Sequence, residues 1–82
     1  MRMKYTDEWW DVWLEDNGTL DTVVSVQQIS SSKTVTSTFS QEFAAQYRKS
    51  NGQMSLQGLK ALGRDIIESF AEEFVLLEEV LK

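Results

Sequence analysis

Apolar residues gather in short, partly alternating runs through the first half of the chain. Segments 8–15, 19–29 and 34–39 are rich in Trp, Val, Thr and Phe, which suit a pleated and half-buried surface. Asn17-Gly18 between the first two runs is typical of a hairpin turn, and the serines at 30–32 indicate a loop. The pattern predicts a three-stranded antiparallel meander over about residues 8–39, with the strands adjacent in chain order.

The register of the first hairpin decides which tryptophans face the core. A three-residue loop at 16–18 places Trp10 opposite Val24 and puts Trp9 and Trp13 on the other face, beside Asp11. A two-residue loop would place the Asp11 carboxylate among core residues. Because a slip of one residue moves every side chain to the other face, we favour the three-residue loop. The remaining partners in that register are Leu14 with Leu20 and Val12 with Thr22.

A helix is the competing interpretation of residues 7–16. Thr6 can cap such a helix, and Trp9, Trp10 and Trp13 would share one of its faces. However, the carboxylates of Glu15 and Asp16 would then lie at the negative end of the helix dipole, which is unfavourable. We therefore favour a strand and keep the helix as the alternative.

The second half of the chain has a helical pattern. Ser40 and Ser55 are predicted to be N-caps of two helices, at about 41–50 and 55–81, separated by Asn51-Gly52. The second helix carries apolar residues at steps of three or four. The predicted fold is a single α+β domain over residues 1–82, with both helices packed on one face of the sheet. Its predicted core is Trp10, Val12, Leu14, Leu20, Val24, Val26, Val35, Phe39, Phe43, Tyr47, Leu59, Leu62, Ile66, Phe70 and Phe74.

The composition of the chain argues against several kinds of metal site, catalytic site and binding partner. The chain has neither Cys nor His, which argues against zinc, copper or haem sites and against Ser–His–Asp or Cys–His catalysis. Carboxylate-pair or lysine chemistry stays formally open, but the adjacent pairs Glu72-Glu73 and Glu78-Glu79 would diverge on a helix. We therefore expect no enzyme activity, no metal and no cofactor. The net charge of −5 argues against binding to nucleic acid or to an anionic membrane. The absence of disulfides, of a signal peptide and of a long apolar run predicts a cytoplasmic protein, in the host cell if it is viral.

Two surfaces are candidates for binding a protein partner. The first is the sheet face with Trp9, Asp11 and Trp13, since Trp is enriched at binding hot spots. The alternative is that all three Trp side chains belong to the core. The second is an acidic stripe on the last helix, which would suit a partner with a basic surface. Its residues are Asp65, Glu68, Glu72 and Glu79. The alternative interpretation is that these carboxylates only form a solvated helix face.

A third candidate surface concerns self-association. The end of the last helix is apolar around more of its circumference than one core needs, so a homodimer contact is predicted there, with deep burial inside one molecule as the alternative. Its contact residues would be Leu76, Leu77, Val80 and Leu81.

The function predicted from these features is a small, acidic, non-enzymatic protein-binding module. A concrete form is an inhibitor or adaptor, of the type that phages and mobile elements encode, which blocks a host protein or a nucleic-acid-handling machine. One alternative is a structural or assembly component that self-associates through its last helix. A third is a single-stranded nucleic-acid binder that stacks bases on the exposed Trp side chains, which the acidic charge disfavours.

Overall fold

Four antiparallel strands and one long helix make up most of the described structure. It is a computed structural model that describes residues 1–15 and 21–74. The strands β1 (Arg2–Tyr5), β2 (Glu8–Glu15), β3 (Thr22–Gln28) and β4 (Thr34–Phe39) form one sheet in the order β1-β2-β3-β4. They are followed by α1 (Gln41–Ala45), α2 (Leu56–Ser69) and a 3₁₀ turn (Ala71–Glu73). The α+β class is confirmed, but the predicted count of three strands is wrong, and only one of the two predicted helices is long.

The additional strand is β1, at the start of the chain. Its residues alternate strictly, with Met3 buried against the helix and Arg2 and Lys4 exposed on the other face. A two-residue turn joins it to β2, and both turn residues, Thr6 and Asp7, have positive φ (55° and 59°). Positive φ at both positions is the geometry of a type I′ hairpin turn, which Asn-Gly usually occupies. Because Thr-Asp is an unusual pair for this turn, the sequence pattern did not reveal the hairpin.

β2 is a strand over Glu8–Glu15, so the preferred interpretation of this segment is confirmed over the helix. The predicted register with β3 is wrong, since Trp10 lies opposite Gln28 and not opposite Val24. The observed partners of Val12 and Leu14 are Val26 and Val24. The shift is an even number of residues, so every side chain keeps its face. The pattern of faces therefore could not distinguish the two registers. The predicted loop at 16–18, and Leu20, lie outside the described residues.

The core lies between the sheet and α2. Its buried apolar residues are Met3, Trp10, Val12, Val24, Val26, Leu59, Leu62, Ile66, Ile67 and Phe74. Gly63 brings the helix close to the sheet, because a Cβ atom there would lie 3.0 Å from a methyl group of Val12. Close approach of this kind is a common reason for glycine inside a helix.

Three residues of the predicted core are exposed: Leu14, Phe43 and Phe70. Leu14 is the next-to-last residue of β2, and Phe70 is the C-cap of α2, where the backbone leaves the helix. Phe43 lies on the short α1, where its ring stacks on Phe39 at 5.8 Å and leaves much of its surface in solvent. Conversely, the prediction omitted Met3 and Ile67, which are buried.

Both predicted N-caps are confirmed, because Ser40 Oγ accepts from Phe43 N at 3.1 Å and Ser55 Oγ accepts from Gly58 N at 2.9 Å. The predicted extents of the helices are wrong. α1 ends at Ala45. Three residues later, Arg48 donates hydrogen bonds to Thr22 Oγ1 and Gly52 O, each at 2.8 Å.

α2 ends at Ser69, before the predicted end at about residue 81. Beyond it the chain forms the 3₁₀ turn and brings the Phe74 ring edge-on against Trp10, with 4.8 Å between ring centroids. Packing of this ring therefore competes with continuation of the helix. Residues 75–81 of the predicted helix lie outside the described residues. None of the described helices is long and apolar enough to cross a membrane.

Candidate partner-binding face of the sheet

One face of the sheet packs on α2, and the opposite face, called the open face, carries the other half of each strand's side chains. Cross-strand partners share a face, so the register identifies its members. They are Arg2 and Lys4 on β1, Trp9, Asp11, Trp13 and Glu15 on β2, Val23, Ser25 and Gln27 on β3, and Thr34, Thr36 and Thr38 on β4. The prediction that Trp9 and Trp13 lie on the side away from the helix agrees with this arrangement.

The middle of the open face is held by a chain of hydrogen bonds that crosses three strands. Trp13 Nε1 donates to Glu15 Oε1 at 2.7 Å, and Ser25 Oγ donates to the same oxygen at 2.9 Å. Ser25 Oγ also lies 2.7 Å from Thr36 Oγ1. Ser25 is buried, and so is Val23, which lies two residues before it on the same face. Trp13 is therefore fixed in place and only partly available for contact with another molecule.

The accessible part of the open face is a group that we call the Trp9 patch, made of Arg2, Lys4, Trp9 and Asp11. Trp9 is 51% exposed, and the ammonium nitrogen of Lys4 lies 5.9 Å from the centroid of its ring. That distance suits a cation–π interaction. The patch therefore presents a large aromatic surface with a cation beside it.

Arg2 and Asp11 form an ion pair within this patch. The guanidinium donates two hydrogen bonds to the carboxylate, at 3.1 and 3.3 Å. These bonds, together with the charge of Arg2, hold the pKa of Asp11 below its ordinary value. The pair is neutral as a unit, so Lys4 is the cation of the patch whose charge is not balanced by this carboxylate.

The predicted acidic residues lie elsewhere. Asp65 and Glu68 are exposed on α2, and Glu72 lies in the 3₁₀ turn beyond the end of that helix. Glu79 lies outside the described residues. Since α2 and the open face are on opposite sides of the sheet, the structure does not bring the acidic residues together with Trp9 and Trp13.

The acidic helix surface is also partly occupied by its own neighbours. Glu68 accepts a hydrogen bond from the hydroxyl of Tyr5, and Arg64 lies 5.9 Å from the Tyr5 ring. A shallow groove between α1 and α2 is lined by both Arg64 and Asp65, together with Phe43 and Tyr47. Charges of both signs therefore meet on this side of the molecule, and it is less uniformly acidic than the sequence suggested.

Neither a metal site nor the predicted dimer contact can be located in the described structure. Within residues 1–15 and 21–74, no group of three or more Asp and Glu residues is arranged to hold a metal ion. Leu76, Leu77, Val80 and Leu81, which were predicted to form a dimer contact, lie outside these ranges.

Arg2 and Lys4 are the residues of this face that the sequence prediction missed. They were overlooked because β1 was not recognised as a strand. One feature of the sequence did indicate a strand here, because Met1, Met3 and Tyr5 alternate strictly with these two cations. A period of two residues is typical of a half-buried strand.

No protein-family model matches the chain, and no curated protein or solved structure shows significant similarity to it.

Proposed function

We propose that this chain is a non-enzymatic protein-binding module that contacts its partner through the open face, with Trp9 as the central residue. The observation that supports this most is the exposure of Trp9 on a sheet face that α2 does not cover. Exposed aromatic surface on such a face is a common mark of an interaction site.

The size of the exposed ring makes Trp9 a suitable anchor. A Trp side chain buries up to about 250 Å² of surface, so roughly 100 Å² of Trp9 remains to be covered by a partner. At about 25 cal/mol per Å², that contact contributes about 2–3 kcal/mol to binding. This is the range of a hot-spot residue. Trp13 adds to the surface but contributes less, because its indole N–H is already bonded to Glu15.

The charge of the protein favours a partner with a basic surface. The net charge is −5, whereas Arg2 and Asp11 neutralise each other within the Trp9 patch. Lys4 leaves the patch itself with one positive charge. Among the described residues, carboxylates such as Asp65 and Glu68 lie on the other side of the sheet, where they would steer a basic partner toward the molecule more than they add affinity at the contact. A small acidic inhibitor or adaptor, of the type that phages and mobile elements encode against host proteins, fits this combination.

Quantitative capture from lysate tests the proposal. The wild-type chain, Trp9→Ala and Leu56→Ala are immobilised in parallel, and bound proteins are compared by mass spectrometry. Leu56 is 71% exposed at the start of α2, so its variant is a control for the loss of an exposed apolar side chain elsewhere. We expect one protein that the wild type and Leu56→Ala retain and that Trp9→Ala loses by tenfold or more, in line with about 2 kcal/mol.

Two results would refute this function. One is capture that Trp9→Ala leaves unchanged. The other is retention of nucleic acid in place of protein, lost again in Trp9→Ala, which would instead support base stacking on Trp9.

A further inference from the structure

The sheet has two edge strands, and they differ in how they are protected. β1 is four residues long and carries Arg2 and Lys4, and short, charged strands commonly discourage pairing with other chains. β4 is six residues long and contains neither a charged residue nor proline. Within the described residues, no strand pairs with β4 on the side away from β3. Among the described residues, this edge therefore lacks the charges, the proline and the partner strand that usually protect an edge.

The backbone groups that β4 presents can be identified from its register. Gln28 N–H donates to Lys33 O at 2.9 Å, so these two residues face each other across the ladder. In an antiparallel pair the direction of backbone groups alternates along the strand. The backbone groups of Val35, Ser37 and Phe39 therefore bond toward β3. The N–H and C=O groups of Thr34, Thr36 and Thr38 point outward, and all three residues are exposed.

We propose that β4 pairs with β4 of a second copy of this chain, antiparallel and centred on Thr36. In this register Thr36 lies opposite its own counterpart, and Thr34 lies opposite Thr38 of the other copy. All the outward N–H and C=O groups of these three residues then find partners. The interface is isologous, as expected for a two-fold dimer.

The side chains of β4 are compatible with a copy of themselves. On the open face, threonine lies opposite threonine in every pair, an arrangement that is favourable between strands. On the helix side, Val35 lies opposite Ser37. Because no charged residue lies in β4, two molecules of net charge −5 can approach along this edge without bringing like charges into contact. This self-complementarity identifies a second copy, and not an unrelated strand, as the occupant.

The dimer has a consequence for the open face. Pairing through β4 joins the two sheets into one of eight strands, with both open faces on the same side. The two β2 strands are then five strand spacings apart, which is about 24 Å at about 4.8 Å per strand. A dimer would therefore present two Trp9 patches to one partner or to two. The inference does not depend on the proposed function, since it concerns the sheet edge and not the face.

A single strand pair buries less surface than a standard protein interface of about 1,600 Å², so the dimer is expected to be weak. Its mass should be followed by sedimentation equilibrium from about 10 μM to about 1 mM, the range in which small interfaces dissociate. We expect a concentration-dependent rise from monomer to dimer in the full-length chain.

Two sets of variants test the contact. Thr36→Pro removes an outward N–H that β3 does not use, so the centre of the interface is lost. It also removes the hydroxyl that lies beside Ser25 Oγ, so Thr36→Val, which loses only that hydroxyl and should keep the dimer, is measured with it. Lys4→Pro is its matched control on the other edge of the sheet, because the backbone N–H of Lys4 also points away from the neighbouring strand. In addition, Thr34→Lys with Thr38→Lys places like charges opposite each other, whereas Thr34→Lys with Thr38→Glu places opposite charges there. Circular dichroism and urea midpoints verify that each variant is folded.

We expect Thr36→Pro and the double-lysine variant to weaken dimerisation about tenfold or more, and Lys4→Pro and the lysine–glutamate variant to preserve it. A monomer at every concentration would overturn the proposal. So would a dimer that Thr36→Pro leaves intact, or equal behaviour of the two charge variants. Loss of the dimer in Leu77→Glu, with no effect of Thr36→Pro, would overturn it in favour of a contact through the end of the chain.

Discussion

Three tryptophans lie within five residues of β2, and the structure predicts very different costs for removing them. Trp10 is fully buried, packs edge-on against Phe74, and donates its indole N–H to Tyr5 O at 2.9 Å. Its neighbour Trp9 is half exposed on the other face of the sheet. We expect Trp10→Ala to destabilise the fold severely and Trp9→Ala to leave it nearly unchanged.

The magnitude for Trp10 follows from its contacts. Replacing a buried Trp by Ala costs about 3–5 kcal/mol, and the edge-on pair with Phe74 adds about 0.5–1.5 kcal/mol. The Tyr5 carbonyl also loses one of its donors, but the Thr6 hydroxyl still donates to it, so this loss adds less than about 1 kcal/mol. A chain of this length has a total stability of about 4–12 kcal/mol, so Trp10→Ala removes a large part or all of it. For Trp9→Ala we expect less than about 1 kcal/mol, mainly from the lost contact with Lys4.

Urea unfolding followed by far-ultraviolet circular dichroism measures the difference. Because Trp10→Ala can be too unstable for a native baseline, Trp10→Phe is measured as well. It keeps an aromatic ring but loses the indole N–H, and we expect it to cost about 1–3 kcal/mol. Equal losses of stability for Trp9→Ala and Trp10→Ala would show that the assignment of the two faces of β2 is wrong.

Three further predictions concern local features. Thr6→Asn combined with Asp7→Gly should raise the free energy of unfolding by about 1 kcal/mol, because these residues suit a turn with positive φ; a decrease in the urea midpoint would contradict the turn geometry. Gly58→Ala should lower it by about 1–3 kcal/mol despite better helix propensity, because the new Cβ would lie 2.7 Å from a backbone oxygen; a stabilised variant would refute that contact. The pKa of Asp11, followed by carbon-13 NMR, should lie below the ordinary value of an aspartate and rise in Arg2→Gln, because the guanidinium hydrogen-bonds to the carboxylate. Because folding lowers this pKa, the pair stabilises the protein near neutral pH and that contribution disappears as the pH falls through the pKa of the folded state.

Much of the fold was predictable from local patterns, and the errors of the prediction have identifiable physical causes. The alternation of residues in β2 placed Trp10 and Trp9 on opposite faces correctly, and the hydroxyls of Ser40 and Ser55 marked the starts of both helices. The register of β2 with β3 was not predictable in this way, because a shift of an even number of residues leaves the faces unchanged.

Other features depend on contacts between distant parts of the chain. α1 ends at Ala45, and three residues later Arg48 bonds to Thr22, twenty-six positions away along the chain, a contact that no local pattern contains. In the candidate site, the exposed Trp9 was predicted from the alternation of β2, whereas its neighbour Lys4 was missed with β1. The acidic residues were treated as one stripe, but α2 ends before Glu72, so the helical spacing on which that prediction rested does not extend to it.

If the open face contacts the partner through Trp9, the Trp9 indole must respond when the partner binds. The chain has three tryptophans, and therefore three indole N–H resonances, in a nitrogen-15 NMR spectrum. Titration of the labelled protein with the partner recovered by capture follows all three at once. Our account predicts that the Trp9 resonance shifts or broadens most, that Trp13 responds less, and that the buried Trp10 is almost unchanged. A titration in which the amides of Asp65 and Glu68 on α2 respond while the Trp9 indole does not would contradict it.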